Sequence, residues 1–143
     1  MRSVIVPLIL LLAACGAGHD SADHAEIRAV MMREWNKPEA PLTVDPIVVV
    51  GTFAIADWTQ PSLGGRALLQ RSGDTWTVVL CAGDSLKDAV LLEHAGMSGS
   101  DAEALLRSLS AAEASLPAER RARIAGFKGV VRMGSDGHGA STR

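Results

Sequence analysis

The chain has 143 residues and a formal net charge of −2, with 48% hydrophobic residues, three Trp, two Phe and no Tyr. That length fits one domain, whose core has to be built mainly from Val, Leu, Ile and Ala. The densest basic group, at residues 120–123, is typical of a solvated helix face, and the charge balance argues against nucleic-acid binding.

Residues 1–14 have the pattern of an export signal. Arg2 precedes an apolar run from Val4 to Leu12, and small residues follow it. The run is shorter than the roughly 20 apolar residues that a membrane-spanning helix needs. We therefore expect this segment to direct export and to be removed.

The signal ends in Leu-Ala-Ala-Cys at residues 12–15, which resembles a bacterial lipobox. In a lipobox the cysteine is diacylated and becomes the first residue of the mature protein. Cys15 is therefore predicted to carry a lipid that holds the protein on the periplasmic side of the bacterial envelope. The alternative is an ordinary signal peptide, cut near Ala14 or Ala17, that releases a soluble exported protein.

A tether and a helix follow the signal. Residues 15–22 are predicted to be the lipid-bearing cysteine and a flexible tether. A helix is predicted from Asp23 to Asn36, because Asp23 and Glu26 have the spacing of a capping box and apolar residues recur at positions 27, 30, 31 and 35. The helix ends before Pro38, since the residue that precedes a proline is pushed out of the α region.

A β-rich block occupies the middle of the chain. Strands are predicted at 47–50, 53–59, 66–71 and 75–81, with 42–44 as an extension that Pro46 interrupts. Turn sequences join them, so successive strands should pair antiparallel as a meander. One face of this sheet is the natural partner for the apolar stripe of the first helix.

The last third of the chain has helical patterns. Serines at 85 and 100, each followed three residues later by an acidic residue, predict helices over about 86–95 and 101–113. Pro117 suits the first turn of a third helix that ends near Ile124. Residues 127–133 are a candidate last strand, and residues 134–143 are predicted to be a disordered tail.

The predicted domain, residues 23–133, therefore has the α+β class. An N-terminal helix lies on a three- or four-stranded antiparallel meander, and two or three helices follow it. The helix and meander are similar to cystatin-like and nuclear-transport-factor-like folds.

Cys81 is the most suggestive single residue. If Cys15 carries a lipid, Cys81 has no partner for an internal disulfide in an oxidising compartment. It ends a strand just before a predicted helix, whose N-terminus would lower the thiol pKa and favour the thiolate. Three roles stay open: a buried structural thiol, a soft-metal ligand, and a nucleophile for which no catalytic partner can be placed.

Histidine and methionine supply further candidate ligands. His94 with Met97, and Met133 with His138, combine imidazole and thioether groups, which suit copper. Met31 belongs to the stripe of the first helix and is expected to pack in the core. No carboxylate pair is placed by spacing for acid–base chemistry, so we do not expect an enzyme.

The middle of the chain resembles a known family. Trp35 to Gln60 (WNKPEAPLTVDPIVVVGTFAIADWTQ) and Gly64 to Ala89 (GGRALLQRSGDTWTVVLCAGDSLKDA) are similar to small proteobacterial exported proteins named copper uptake system-associated proteins. The likeness extends more loosely through AGMSGSDAEAL and LPAERRARIAGFKGVV to residues 136–138. The resemblance implies an association with copper-import components, and it brings no ligand set with it.

These patterns lead to three functional hypotheses. The first is an accessory lipoprotein of copper acquisition that acts by protein contact or by weak Cu(I) binding, with Cys81 as the first ligand and His94, Met97, Met133 and His138 as candidate partners. The second is a metal-free module that docks a protein on the sheet face left free by the first helix or on an exposed strand edge. The third is a small enzyme, thiol-dependent or with a cone-shaped pocket, on a transport-factor-like sheet; it needs a concave pocket lined by Trp58 or Trp76 with carboxylates nearby.

Labelling of the native thiol separates the first two hypotheses. A Cys81 that reacts only after denaturation is buried, which favours the metal-free module.

Overall fold

A computed structural model describes residues 17–134 and 139–140, with side chains from residue 20 to 134. The predicted signal at 1–14, the predicted lipid-bearing Cys15 and His138 lie outside the described residues. None of the described helices is long and apolar enough to cross a membrane.

The described chain confirms the α+β class: one helix precedes the four strands of the antiparallel meander along the chain, and further helices follow them. In chain order the elements are α1 (Ala17–Trp35), β1 (Thr43–Val50), β2 (Phe53–Thr59), β3 (Gly64–Ser72), β4 (Thr75–Ala82), α2 (Ala89–His94), α3 (Gly99–Glu113), α4 (Ala118–Ala125), β5 (Val130–Met133) and β6 (Gly139–Ala140). A short 3₁₀ turn, Asp84–Lys87, precedes α2.

The sheet has more strands than the predicted three or four. Its order is β1-β2-β3-β4-β5-β6, and every neighbouring pair is antiparallel. The extra strands come from the C-terminal segment, because β5 returns beside β4 and the two-residue β6 pairs with β5. Residues 139–140 therefore pair with Arg132 and Met133, within the segment predicted to be a disordered tail.

Pro46 lies inside β1 instead of ending it. The pairing of β1 with β2 shifts between Val44 and Ile47, so the strand passes the proline through an irregularity in the ladder. A bulge of this kind removes the need for a backbone N–H at one position, which is how a strand tolerates a proline.

Helices cover both faces of the sheet. On one face, α1 packs Ile27 and Met31 against β-strand residues such as Trp76. On the other face, α2 and α3 pack Leu92 and Leu105 against residues of the sheet. The prediction of a free sheet face for docking is therefore wrong. The later helices also have apolar stripes, and these stripes are buried against the second face of the sheet.

The helix starts differ from the predicted ones. Helix α1 begins at Ala17, so residues 17–22 are helical and not a flexible tether. The Asp23 carboxylate does not cap the helix; it accepts hydrogen bonds from Arg71 Nη1 and Trp76 Nε1, each at 3.1 Å. A side chain that was predicted to act locally thus ties α1 to the sheet.

The two serine caps are also displaced. Asp88 caps α2 by accepting from the Val90 backbone N–H at 2.9 Å, and Ser98 caps α3 by accepting from that of Asp101 at 3.2 Å. Each true cap lies within three residues of the predicted one, since several Ser and Asp side chains compete for each helix end. Pro117 precedes α4 directly, close to its predicted place.

Candidate binding pocket

An apolar pocket of about 230 Å³ lies between the C-terminal half of α1 and the sheet. We call it the α1 pocket. Its lining residues are Met31, Trp35, Leu42, Trp58, Gln60, Cys81, Phe127, Val131 and Met133. They come from α1, from the ends of β2 and β4, from β5 and from three loops, so only the folded chain assembles them.

A bulge in β4 turns Cys81 towards this pocket. The register passes from Leu69 opposite Val78 to Leu68 opposite Leu80, which leaves Val79 as the extra residue. One extra residue reverses the alternation of the faces. Cys81 therefore shares the α1 face with Trp76 and Val78, while Leu80 lies in the opposite core.

Trp58 reaches the same pocket from β2 by lying across β3. It pairs with Gly65, and a Cβ atom built on Gly65 would be 2.8 Å from Trp58 Cζ2 and 3.1 Å from Phe127 Cδ2. Because Gly65 has no side chain, the rings of Trp58 and Phe127 can both lie against its backbone. The Trp58 and Phe127 rings meet edge to face, with centroids 5.8 Å apart, a favoured aromatic geometry.

Gln60 is the one lining residue with a polar amide side chain, and its amide nitrogen is already used. It donates to the backbone carbonyls of Trp35 at 3.2 Å and Ala40 at 3.1 Å. These bonds hold the end of α1 and the segment after it against the end of β2. Gln60 therefore closes one side of the pocket.

Three sulfur side chains line the α1 pocket: Cys81, Met31 and Met133. Cys81 is 6% exposed, and burial raises the pKa of its thiol to about 12. The expected lowering by a helix N-terminus is wrong, because Cys81 lies in the α1-side core and burial disfavours the thiolate. The thiol is protonated at neutral pH, which does not suit a nucleophile.

The predicted ligand set is divided by the sheet. Met133 shares the pocket with Cys81, but Met97 is buried in the core on the opposite face, and His94 is exposed at the end of α2. Met31, predicted to be only a packing residue, joins Cys81 instead. Among residues 20–134 no group of three or more His, Cys, Asp or Glu side chains is suited to hold a metal ion.

No protein-family model, no curated protein and no solved structure matches this chain. The family resemblance therefore stays a prediction, and the function has to be argued from the geometry.

A partly buried group of charges lies on the other face of the sheet. We call it the Arg66 cluster; it consists of Asp57, Arg66, Asp84, Lys87 and Glu113. Arg66 Nε donates to Glu113 Oε1 at 2.7 Å, and Arg66 Nη1 donates to Asp84 Oδ1 at 3.1 Å. Lys87 Nζ donates to the second oxygen of Glu113. The cluster joins the last residue of α3 to two strands and to the turn before α2.

Asp57 is the least satisfied member of the Arg66 cluster. It is fully buried, Arg66 Nε lies 3.7 Å from its Oδ1, and neither carboxyl oxygen has a hydrogen-bond partner among the described residues. Burial and the neighbouring charge of Glu113 raise the pKa of Asp57 to about 8, against the opposing effect of Arg66. Asp57 is therefore largely protonated at neutral pH.

Glu113 behaves in the opposite way. Burial pushes its pKa up, but the hydrogen bonds from Arg66 and Lys87 outweigh burial and lower it. Of the two carboxyl groups, Glu113 therefore holds the negative charge and Asp57 holds a proton.

The Arg66 cluster was not predicted from the sequence. The pattern that could have indicated it is a charged residue within each of two apolar segments, Asp57 in FAIADWT and Arg66 in GGRALL. The register places these two residues directly opposite each other.

Proposed function

We propose that this chain is an accessory lipoprotein of copper uptake in the bacterial envelope, anchored through Cys15, and that it binds Cu(I) weakly in the α1 pocket. The observation that supports binding is that Cys81, Met31 and Met133 line one pocket from three separate elements. Thiolate and thioether groups are the soft ligands that favour Cu(I). Components of the copper-import machinery are the proposed partners.

The charge balance of such a site fits an apolar pocket. One Cu(I) cation and one Cys81 thiolate make a neutral unit, and the two thioethers add no charge. A neutral unit avoids the large cost of burying an unpaired ion. Because the thiol holds its proton up to a pKa of about 12, the metal has to displace that proton to solvent as the copper–sulfur bond forms, so affinity should fall as the pH falls.

A Cu(I) titration of the purified protein against a colorimetric Cu(I) chelator tests this proposal. The Cys15→Ser background leaves Cys81 as the only thiol, and we expect one copper per chain with one proton released. Cys81→Ala should abolish binding, and Met31→Leu or Met133→Leu should weaken it.

Met97→Leu is the matched control, because Met97 is equally buried but on the other side of the sheet. Binding that survives Cys81→Ala would remove the α1 pocket from the copper site. Anchoring is tested separately, by whether Cys15→Ser releases the protein from the membrane fraction.

A metal-free protein-binding module is the second candidate, and the burial of Cys81 favours it. The free sheet face that this function was predicted to use is covered, and the edge strand β1 is partly occupied. Arg28 Nε donates to the Val44 carbonyl at 3.2 Å, and Arg120 Nη2 donates to that of Asp45 at 2.7 Å. Thiol labelling distinguishes the two candidates. If Cys81 reacts with the label only after unfolding, and added Cu(I) does not protect it from the label, the metal-free module is supported.

We also propose that the fold is transport-factor-like or cystatin-like. This proposal is supported by the helix that crosses one face of the antiparallel meander and by the pocket beneath that helix. The pocket is lined by Trp58 but by no carboxylate, which gives the proposed enzyme alternative no acid–base group there.

A further inference from the structure

The α1 pocket is larger than a metal ion requires. A water molecule takes up about 30 Å³ in the liquid, whereas the pocket measures about 230 Å³. A Cu(I) ion at the sulfur atoms would leave most of this space unfilled. An unfilled apolar space forfeits the dispersion contacts of every side chain that lines it.

The lining selects against a charged or strongly polar occupant. No Asp, Glu, Lys, Arg or His side chain is among the nine lining residues. The amide nitrogen of Gln60 is committed to two backbone carbonyls, and the indole N–H of Trp58 is buried without a hydrogen-bond partner among the described residues. A charged group that entered would lose its hydration and find no opposite charge among the lining side chains.

The lining favours a flat apolar molecule. The rings of Trp35, Trp58 and Phe127 offer aromatic surfaces, and the thioethers of Met31 and Met133 make favourable contacts with aromatic rings. An engineered apolar cavity of about 150 Å³ holds benzene, so about 230 Å³ suits one ring with a short substituent.

The exposure of the lining residues locates the mouth of the pocket. Met31, Leu42, Trp58 and Cys81 are buried, whereas the other lining residues, Trp35, Gln60, Phe127, Val131 and Met133, are only half-buried. The half-buried residues lie at the end of α1, directly after β2, and in β5 and the segment before it. A small molecule would thus enter on the side of the pocket where these residues lie.

We infer that the α1 pocket binds an uncharged apolar molecule of about the size of one substituted aromatic ring. This inference goes beyond the proposed copper function and does not depend on it, because it rests on the volume and the apolar lining and not on the thiol.

Ethylbenzene is the probe, added to the purified full-length protein. We expect saturable binding that changes the fluorescence of the lining tryptophans. We also expect NMR shifts at the methyl groups of Met31 and Met133 and none at that of Met97, which lies in the opposite core. Binding without this pattern of methyl shifts, or no saturable binding at all, would overturn the inference.

Two neighbouring valines supply a matched pair of variants. Val131→Phe places a ring in the pocket and should weaken ethylbenzene binding at least tenfold. Val130→Phe adds the same ring on the other face of β5, where Val130 packs with the opposite core, and should leave binding unchanged. Thermal unfolding shows whether each variant folds; equal binding by folded Val131→Phe also contradicts the inference.

Cys81→Ala separates this inference from the copper proposal. The variant should lose Cu(I) binding, whereas ethylbenzene binding should persist with an altered affinity, because the change removes one sulfur atom from the wall and leaves the other eight lining residues in place. Loss of ethylbenzene binding in a folded Cys81→Ala protein would show that the occupant depends on the thiol and not on the walls. If Cu(I) binds and ethylbenzene does not, only the copper proposal survives.

Discussion

One face of the sheet lies under a single helix and contains a pocket lined with sulfur and aromatic groups. The other lies under α2 and α3, is packed with leucines, and ends in the Arg66 cluster, of which Asp57, Arg66 and Glu113 are buried. The first face has volume to spare but no charged side chain in its pocket, whereas the second places Arg66 where it is 1% exposed. We infer that the second face is closed by its packing, whereas the first keeps a space that is free to bind.

Adjacent residues of β4 show this division within one strand. Leu80 enters the leucine-packed core, and Cys81, the next residue, enters the wall of the α1 pocket. The backbones of both residues belong to the same ladder of hydrogen bonds with β3. A difference in stability between variants at these two positions therefore reflects the packing on the two faces and not the strand itself.

The largest expected effect is the loss of Arg66. Arg66→Ala removes the cation beside Asp57 and leaves Lys87 as the remaining cation at Glu113, and breaking a buried pair in this way costs about 3–5 kcal/mol. Urea unfolding measures the change. Arg107→Ala removes one half of an exposed ion pair with Glu103 and should have almost no effect. Equal effects would show that the Arg66 cluster adds nothing to stability.

The second prediction compares Leu80→Ala with Cys81→Ala. Removing the fully buried Leu80 side chain should lower the free energy of unfolding by about 2–5 kcal/mol, because a cavity opens in a close-packed core. Cys81→Ala should cost only about 1 kcal/mol, since it removes a single heavy atom beside an existing space. Chemical denaturation of both variants checks the ratio; a Cys81→Ala cost as large as that of Leu80→Ala would mean that the α1 face is packed as tightly.

The third prediction concerns the pH dependence of stability. Asp57 titrates near 3.8 in the ordinary case and near 8 when folded, so between these values the folded protein holds a proton that the unfolded chain has released. Its contribution to stability is therefore fully present below about pH 4 and declines until about pH 8. Asp57→Asn cannot ionise and should remove this decline, so that the variant gains relative to the wild type as the pH rises.

Unfolding midpoints in urea across this pH range measure the effect. Asp74→Asn, in the exposed turn between β3 and β4, is the control and should keep the wild-type pH dependence. If both variants follow the wild type, Asp57 is ionised in the folded protein at neutral pH.

Much of the fold followed from local patterns. The apolar spacing of α1 and the turn at Gly51, whose φ of +59° favours glycine, predicted elements that the structure contains. The helix caps were less well placed, because Asp23 meets Arg71 and Trp76 only after the chain has folded, and Ser85 lies within the 3₁₀ turn before α2. The strand β5 was a candidate from its apolar residues, but its place beside β4 depends on contacts made about fifty positions away in sequence.

The site was harder to predict than the fold. Cys81 was singled out, but its partners were chosen by distance along the chain, which paired His94 with Met97. Met31 lies fifty positions before Cys81, and only the packing of α1 on the sheet brings the two to one pocket. The Arg66 cluster needed the register of β2 with β3, and the last residue of α3 had to reach both strands.

By itself the sequence determined the α+β class, the order of the main elements and the face that α1 presents, because 3.6-residue and two-residue periods are local properties. It also predicts an export signal at residues 1–14, and it contains one thiol beyond Cys15. Only the tertiary structure decided which way that thiol points. A single extra residue at Val79 reverses the faces of β4, and no local period records such a bulge.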